Sequence, residues 1–403
     1  MPSANESTQR DSLLRETLKR VAPGTPLREG LERILRGRTG ALIVLGEGPE
    51  IDSISHGGFV IDTEFTPARL RELAKMDGGI VLSRDGSRIR SAAVHLLPQS
   101  ATTATESGTR HRTAEQTSLA TGMPVITVSA SMNIISLFTD GTRYALDRPE
   151  LILERANQAL NTLERYRERL ESVMHHLTQQ ELEATVSVRE LATAVQRQEM
   201  VRRIIHEIST YTLELGAEGR LVTLQLEELA SGTEGNTELL LRDYAGLDIH
   251  DRAHPGAEGS SSAQPTTAGA APKAPQEPAS PKAEAAAAKA TAKVIADQLA
   301  ALAELTSAEL VDLSKVAAIL GVESSVQSLD RLVQPRGHRI LGQIRNLPRS
   351  VSDRIVARFD GLQGLLAAST EELMSVDGVG EQRARIVRET LSRMAELNFF
   401  EHY

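Results

Sequence analysis

Residues 149–211 contain no glycine, and their only proline is Pro149 itself. The stretch is rich in Glu, Arg, Gln and Leu, and its apolar residues stand three and four positions apart, as at Leu153, Ala156 and Leu160. Glycine and proline are the residues that usually end a helix, and this apolar spacing is typical of amphipathic helices. The stretch therefore predicts an all-α spine of long helices, which would connect the parts of the chain before and after it.

The residues before this spine alternate between strand and helix patterns. Two helices are predicted within 11–35, separated by a Pro-Gly pair, and further helical patterns cover 66–75 and 111–121. Thr66 is the expected N-cap of the helix at 66–75, with Pro67 as its first residue. The β-rich runs between glycines and prolines are 41–45, 59–61, 79–83, 89–97, 125–129 and 134–138. Strands interleaved with helices predict an α/β domain with a mixed β-sheet flanked by helices.

Composition changes twice more along the chain. Residues 250–282 have no aromatic residue and little apolar surface beyond alanine, so we expect a disordered Ala/Pro-rich insertion there, followed by an Ala-rich helix at 284–305. Residues 334–403 consist of short helical patterns and tight turns, with ten Arg against nine Asp or Glu. We therefore predict a multidomain chain: an α/β domain at 1–147, the helical spine at 148–333 and a small helical domain at 334–403.

Composition also excludes several classes of function. The chain of 403 residues has a net charge of -9 and no cysteine, which rules out a disulfide scaffold, thiolate zinc sites, iron–sulfur clusters and a cysteine nucleophile. With 5 Tyr, 6 Phe and no Trp, the chain offers few rings on which bases of single-stranded DNA could stack. The first twenty residues lack an apolar run and no stretch is long enough to span a bilayer. We expect a cytoplasmic protein without a membrane partner.

Two polar clusters in the α/β part could carry chemistry. Asp77, Gly78 and Gly79 lie directly before a predicted strand, where glycine lets a ligand approach the backbone beside the carboxylate. Residues 106–115 place two arginines around His111, with threonines on both sides, where a helix is predicted to begin. Hydroxyls, guanidinium groups and free helix N–H groups are the parts of a phosphate-binding pocket. The alternatives are an ordinary Asp-Gly turn and a solvated basic turn.

A third motif lies near the C-terminus. Gly378, Val379 and Gly380 stand between an apolar residue and a helical pattern that carries Arg383 and Arg385, as in the hairpin of a helix–hairpin–helix. Such glycines expose backbone N–H groups beside a helix N-terminus, which bind DNA phosphates without reading bases and in a salt-sensitive way. The alternative is a hairpin that serves packing alone.

An internal echo accompanies this hairpin. The Arg-Ile-Val tripeptide at 354–356 recurs at 385–387, about one helix–hairpin–helix unit further along. Residues 347–350 precede the first copy and lack paired glycines, so they are interpreted as a degenerate partner hairpin.

Together these residues resemble a known family. The runs at 77–79 and 109–113 look like the DGA and RHR motifs of diadenylate cyclase domains, and 40–44, 57–59 and 125–129 fit the surrounding pattern. The order of cyclase domain, helical spine and helix–hairpin–helix is similar to that of the bacterial DNA integrity scanning family. The resemblance covers nearly the whole chain. Gly79 stands where the family usually has alanine.

The resemblance implies an enzyme that joins two ATP molecules into cyclic di-AMP and releases two pyrophosphates. By matched position, Asp77 would lie near the ribose 3′-hydroxyl and a divalent metal, Mg²⁺ or Mn²⁺. Gly78 would contact the nucleotide through its backbone, and Leu96 would lie on the adenine side. The run that would hold the phosphates comprises Thr109, Arg110, His111, Arg112 and Thr113, with Arg110 and Arg112 also catalytic.

The resemblance further implies the partners. Ring closure requires two ATP molecules in opposed orientations, so two cyclase domains must face each other, which in this family happens in a homo-octamer of two tetrameric rings. The expected DNA partner is branched or damaged DNA, and the expected location is the cytoplasm, associated with the nucleoid. The alternative is a branched-DNA sensor whose cyclase domain only binds nucleotide. Gly79 favours that alternative, whereas the presence of Asp77, Arg110 and Arg112 favours the enzyme.

Overall fold

The chain divides into two compact units. The computed structural model describes residues 4–98, 106, 108–233, 235–244, 249–250, 281–323, 327–344, 347–359 and 361–401. The first unit comprises residues up to 162 together with 204–229, and the second comprises 163–203 and the residues from 230 onward. The three boundaries between the units, after residues 162, 203 and 229, all fall inside helices of the spine. The three-domain division with borders at 147 and 333 stays a prediction.

The first unit is built on a mixed eight-stranded sheet. Its strands are β1 (Ala41–Leu45), β2 (Ser55–His56), β3 (Phe59–Glu64), β4 (Gly79–Leu82), β5 (Arg88–Leu96), β6 (Val125–Ser129), β7 (Ile134–Thr139) and β8 (Thr142–Leu146). They follow the order β2-β5-β4-β1-β6-β7-β8, with β3 also paired to β5. Strands β1 and β4 are parallel, and the other pairs are antiparallel. The six predicted strands and the mixed sheet are confirmed. Strands β2 and β8 were missed because one is two residues long and the other lacks an apolar run.

Helices cover both faces of this sheet. They are α1 (Ala4–Val21), α2 (Pro26–Arg36), α3 (Pro49–Ile54), α4 (Pro67–Leu73) and α5 (Thr109–Thr121). Helices α1, α2 and α4 pack on the face that carries Ile43 and Ile80, whereas α3 and α5 pack on the face that carries Leu42 and Val81. The predicted cap of α4 is confirmed, since the Thr66 hydroxyl accepts the backbone N–H of residue 69 at 3.2 Å. Helix α5 begins at Thr109, two residues before the predicted start at residue 111. The whole basic run therefore lies in the first turns of this helix.

The spine and the C-terminal part are almost entirely helical. The elements are α6 (Pro149–Glu183), α7 (Val188–Leu215), α8 (Arg220–Ala230), α9 (Asn236–Asp243), β9 (Ile249–His250), α10 (Pro281–Glu304), α11 (Ser307–Val311), α12 (Leu313–Ile319), β10 (Leu332–Val333), α13 (His338–Gly342), α14 (Arg349–Arg358), α15 (Gly361–Ala367), α16 (Thr370–Met374) and α17 (Glu381–Glu401). The predicted disorder at 251–280 lies outside the described residues. At its ends that prediction was wrong, because His250 pairs with Leu332 and Pro281 begins α10.

A buried polar network ties the C-terminal helices to the spine within the second unit. The Asp243 carboxylate at the end of α9 accepts the backbone N–H groups of residues 337–339, at the start of α13, at 2.5, 2.7 and 3.0 Å. Arg339 forms an ion pair with Glu181 of α6, with side chains 7% and 0% exposed. Gln363 donates to the Glu181 carbonyl at 3.2 Å. Burial raises the pKa of Asp243 to about 6. This network holds α13 and α15 on the end of α6.

The two helix–hairpin–helix units near the C-terminus are offset by 32 residues in the structure, whereas the two Arg-Ile-Val tripeptides are offset by 31 in the sequence. Ser352 and Ile355 of α14 are buried, and so are Ala384 and Val387 of α17, which lie 32 residues further along. The echo pairs Ile355 with a residue 31 positions on, Ile386, and that residue is 39% exposed. The structural repeat therefore follows the buried face of the helix and not the matching letters.

Candidate active site

The predicted site residues meet at one edge of the sheet. Leu42 of β1 lies opposite Gly79 of β4 in a parallel pair, so Gly40 and Asp77, each two residues earlier, reach the same edge. Leu42 and Gly79 share the face that α5 covers, since side chains alternate between faces along a strand. Strand β5 runs antiparallel to β4 and ends at this edge with Leu96. Residues from distant parts of the sequence thus form one site.

Asp77 is held in place by a turn that requires glycine. Gly78 has a φ of +105°, and a Cβ there would lie 2.7 Å from the carbonyl carbon of Ala93. Ala93 itself has a φ of +56°, where β5 bulges against β4. Gly58 has a φ of +75° and approaches the same bulge from β3, with a Cβ position 2.7 Å from the Ala92 oxygen. Gly78 and Gly58 therefore both pack against this bulge. The sequence indicated the role of Gly58 only through the Gly-Gly pair before β3.

The Asp77 carboxylate is exposed, and its Oδ1 accepts the Gly78 backbone N–H at 3.0 Å. Among the residues that the structure describes, no group of three or more His, Asp or Glu side chains could hold a metal ion by itself. This donor set fits Mg²⁺, which usually binds one or two carboxylates together with substrate phosphates and water. It does not suit a metal that requires a complete cage of protein ligands.

Leu96 lies buried against Gly79. A Cβ on Gly79 would be 3.2 Å from Leu96 Cδ1 and 3.4 Å from the Val94 carbonyl oxygen. The missing methyl group therefore lets Leu96 pack directly on the backbone of β4, and an alanine would displace it by a few tenths of an ångström. The departure from the usual family motif changes the packing of the residue expected beside the adenine, and it leaves Asp77 untouched.

The basic run occupies the first turns of α5. Arg110 is exposed, and its guanidinium lies on the backbone of Gly40, where a Cβ would be 2.1 Å from Nη1. Arg110 thus reaches the sheet edge that carries Asp77. Arg112 is also exposed and donates from Nε to the backbone carbonyl of residue 106 at 3.4 Å. The Thr113 hydroxyl donates to the Thr109 carbonyl at 2.9 Å, so its proton is used within the helix.

His111 is placed differently from the arginines on either side. It is 6% exposed, with its ring edge toward Phe138 at a centroid distance of 6.0 Å, and its Nε2 has no hydrogen-bond partner among the described residues. Burial lowers the pKa of His111, and the nearby charge of Arg143 lowers it further, which favours a neutral ring. Successive residues of a helix point about 100° apart. Three consecutive side chains therefore cannot all face one ligand, and His111 is the one that points inward.

The C-terminal hairpin joins α16 to α17. Gly378 has a φ of +82°, and a Cβ there would lie 2.6 Å from Nη2 of Arg354, which belongs to the partner hairpin. Arg383 donates from Nη1 to the Gly378 carbonyl at 2.8 Å. The positive φ therefore favours glycine at this position, and an added side chain would also require the Arg354 guanidinium to move.

The predicted DNA contacts of this hairpin divide into two groups. Val379 is 6% exposed, and its N–H donates to the Val376 carbonyl at 3.0 Å, so this residue packs in the hairpin. Gly380 is exposed, and a Cβ there would have no atom within 4 Å. Arg385 is 72% exposed and lies 3.6 Å from Glu389. Gly380 and the arginines are available at the surface, whereas Val379 is not.

The first unit also contains a cavity of about 660 Å³ at the opposite edge of the sheet. It is lined by residues such as Arg20, Leu45, Glu64, Phe65 and Arg88. None of the site residues predicted from the sequence lines it. The candidate active site is therefore separate from this cavity.

Comparisons with known proteins agree with this arrangement. Residues 28–143 match the family model described as DisA bacterial checkpoint controller nucleotide-binding, 146–257 match the DisA bacterial checkpoint controller linker region, and 361–390 match the helix-hairpin-helix motif. The fold and these matches define a diadenylate cyclase domain joined through a helical linker to a DNA-binding helix–hairpin–helix. No helix among the described residues has the length and apolar character needed to cross a membrane.

Curated relatives match almost the whole chain. The DNA integrity scanning protein DisA of Kineococcus radiotolerans is 50% identical over 393 residues, which are 98% of each chain. The proteins of the same name from Parafrankia sp. and Streptomyces coelicolor are 48% and 47% identical, over 98% of this chain and 98% and 95% of theirs. The chain belongs to the family of the DNA integrity scanning protein DisA.

Proposed function

We propose that this chain condenses two ATP molecules into cyclic di-AMP with release of two pyrophosphates, and that branched or damaged DNA bound at the C-terminal hairpin regulates this reaction. The observation that carries the proposal is the shared sheet edge. Asp77 reaches it from β4, and Arg110 reaches it across Gly40 of the neighbouring strand. A carboxylate beside a guanidinium supplies both the group that binds a metal and the charge that binds phosphate.

In each half-reaction the ribose 3′-oxygen of one ATP forms a bond to the α-phosphorus of the other. The hydroxyl proton is lost, and the bond from the α-phosphorus to the bridging oxygen breaks, so that pyrophosphate leaves with the electron pair. Arg110 and Arg112 carry the positive charge that binds the α-phosphate and the leaving pyrophosphate. Asp77 is the residue that would hold Mg²⁺ or Mn²⁺. When bound, that ion supplies Lewis-acid chemistry at the phosphate and lowers the pKa of the attacking hydroxyl.

The proposal extends to assembly, because one site of this kind holds one ATP. Ring closure needs two sites in opposed orientation, which an isologous contact between two copies provides. We propose the family's homo-octamer of two tetrameric rings and a cytoplasmic, nucleoid-associated location.

The direct test is incubation of the purified full-length chain with ATP and Mg²⁺, followed by chromatography and mass spectrometry for cyclic di-AMP. The enzyme is expected to produce cyclic di-AMP and pyrophosphate in a ratio of one to two. Retention of ATP without any product, at concentrations at which ATP binds, would instead support the alternative, a DNA sensor whose cyclase domain only binds nucleotide.

Gly40→Ala is expected to lower cyclic di-AMP synthesis by about tenfold to a hundredfold. The new methyl group would occupy the position of the Arg110 guanidinium, and displacement of a charged group by about 1 Å can cost that much in rate. Gly40 itself has no positive φ, so the backbone tolerates alanine there. Initial rates at saturating and limiting ATP measure the effect.

The control for this prediction is a double-variant comparison. If Gly40→Ala acts through Arg110, then Arg110→Ala combined with Gly40→Ala has the same rate as Arg110→Ala alone. Full additivity of the two losses would show that Gly40 acts on some other part of the site.

Gly380→Leu is expected to weaken the binding of junction DNA by about tenfold, or 1.4 kcal/mol, and to leave the basal cyclase rate unchanged. The structure has room for this side chain, so the hairpin folds, but the side chain covers the backbone that a phosphate must approach. Fluorescence anisotropy with labelled junction DNA at several salt concentrations measures the affinity. Ala357→Leu, an exposed position on α14, is the control for an added apolar side chain. Unchanged affinity of Gly380→Leu would place the DNA contact elsewhere.

A further inference from the structure

Glu106, which lies two residues before the N-cap of α5, forms an ion pair with Arg143 of β8. Arg143 Nη1 of β8 lies 3.2 Å from Glu106 Oε1 and 3.4 Å from Oε2, and Arg143 Nε donates to the Ser136 hydroxyl at 3.1 Å. The side chains of Arg143 and Glu106 are 30% and 22% exposed. Both partners of this ion pair are therefore mostly removed from water, where the attraction is stronger than on an open surface.

Glu106 also contacts the basic run itself. Its backbone carbonyl accepts Arg112 Nε at 3.4 Å, and its backbone N–H donates to Glu115 Oε2 of α5 at 3.1 Å. The N-cap position of α5 is Gly108, which has no side-chain hydrogen bond to the helix. The first turn of α5 is thus held by contacts through Glu106 and not by an ordinary side-chain cap.

The backbone of Arg143 is remote from the edge that carries Asp77. Arg143 is paired with Phe138 of β7. The other end of β7, at Ile134, is paired with Ser129 of β6, and Ser129 lies level with Gly40. Four residues of strand separate those levels, roughly 13 Å at about 3.3 Å per residue. Arg143 can therefore influence the bound nucleotide through Glu106 and α5.

We infer that Arg143 is a positioning residue of the nucleotide site, which acts through Glu106 to fix Arg112 and the first turn of α5. This inference rests on the proposed function, because it assigns Arg143 to the site that binds ATP. Arg143 does not touch the reacting atoms. Its role is to hold Glu106 beside α5 so that the exposed arginines keep one orientation toward the phosphates, which lowers the entropy lost when ATP binds.

The test compares four variants of the full chain: Arg143→Ala, Arg143→Lys, Glu106→Gln and the exchange of Glu106→Arg with Arg143→Glu. Arg143→Ala is expected to weaken ATP binding about tenfold, because Arg112 is no longer held in one orientation. Glu106→Gln is expected to have the same sign and a smaller effect. Arg143→Lys and the charge exchange are expected to restore part of the affinity, since each retains an ion pair at this position.

Two readouts distinguish positioning from a purely structural role. ATP affinity is measured by calorimetry in the presence of Ca²⁺, so that binding is read independently of turnover, and the melting temperature is measured in parallel. Addition of Arg143→Ala to Arg112→Ala is expected to cause little further loss, because Arg143 acts through Arg112. Arg148→Ala, an exposed arginine five residues further on, is the control.

Two outcomes would overturn the inference, and a third would overturn only the proposed reaction. A lower melting temperature with unchanged ATP affinity would show that the pair only stabilises the fold. A large loss for Arg143→Ala with none for Glu106→Gln would show that Arg143 contacts the nucleotide itself. If the wild-type chain binds ATP without forming cyclic di-AMP, the proposed reaction fails, and the binding series still decides the role of Arg143.

Discussion

Asp77→Asn is expected to lower cyclic di-AMP synthesis by about a thousandfold or more and to leave ATP affinity within about threefold. The amide keeps the shape of the carboxylate and an oxygen that accepts the Gly78 N–H. It loses the negative charge that would hold the metal and orient the 3′-hydroxyl, so the loss falls on the chemical step. Single-turnover rates and ATP binding by calorimetry measure the two effects separately.

Asp52→Asn is the matched control, since Asp52 is another exposed carboxylate of the first unit, on α3. Its rate is expected to equal that of the wild-type chain. Near-normal output from Asp77→Asn would remove Asp77 from the catalytic assignment. An equal loss in ATP affinity and rate would instead show that Asp77 acts in binding.

Arg339→Ala is expected to destabilise the second unit by about 3–5 kcal/mol. The substitution leaves the Glu181 carboxylate fully buried without its cation, and among the described residues only the Tyr244 hydroxyl still donates to it, at 2.9 Å. It also removes the hydrogen bond from Arg339 to the Thr178 hydroxyl, at 2.9 Å. Urea denaturation followed by circular dichroism measures the shift of the midpoint.

Arg393→Ala is the control for this prediction, since it removes an exposed arginine of the same unit and is expected to change stability by less than about 0.5 kcal/mol. A second variant, Arg339→Met with Glu181→Leu, removes both charges and is expected to recover much of the loss, because apolar replacement of a buried pair is often neutral. A shift below about 1 kcal/mol for Arg339→Ala would mean that water reaches Glu181 in solution.

The same network affects how DNA regulation can be tested. A chain cut after residue 333 would lose Arg339 and the N–H groups that bind Asp243, so two buried carboxylates would lose their partners. A change in cyclase rate after such a cut would combine lost DNA binding with damage to the spine. Gly380→Leu separates these effects, because it changes the surface of the hairpin and leaves the network intact.

The sequence by itself determined the architecture of the chain. Spacing of apolar residues predicted the strands of the sheet and the long spine helices, and the Gly-Val-Gly run predicted the C-terminal hairpin. These elements were found, because such patterns depend on neighbours a few positions away. The motif residues Asp77 and Arg110 were also chosen from the sequence, since charge and glycine content are visible there. The first end of the predicted insertion was wrong because β9 forms only by pairing with β10, about eighty residues further on.

Only the tertiary structure decided which of these residues meet. Strand register brings Asp77 level with Gly40, and the approach of Arg110 to that glycine depends on how α5 packs on the sheet. Nothing local distinguishes His111 from its neighbours, and the packing of α5 alone turns it inward. The ion pair of Glu106 with Arg143 likewise joins residues that no short pattern connects. Register and helix orientation result from burial summed over the whole domain, so no short segment contains them.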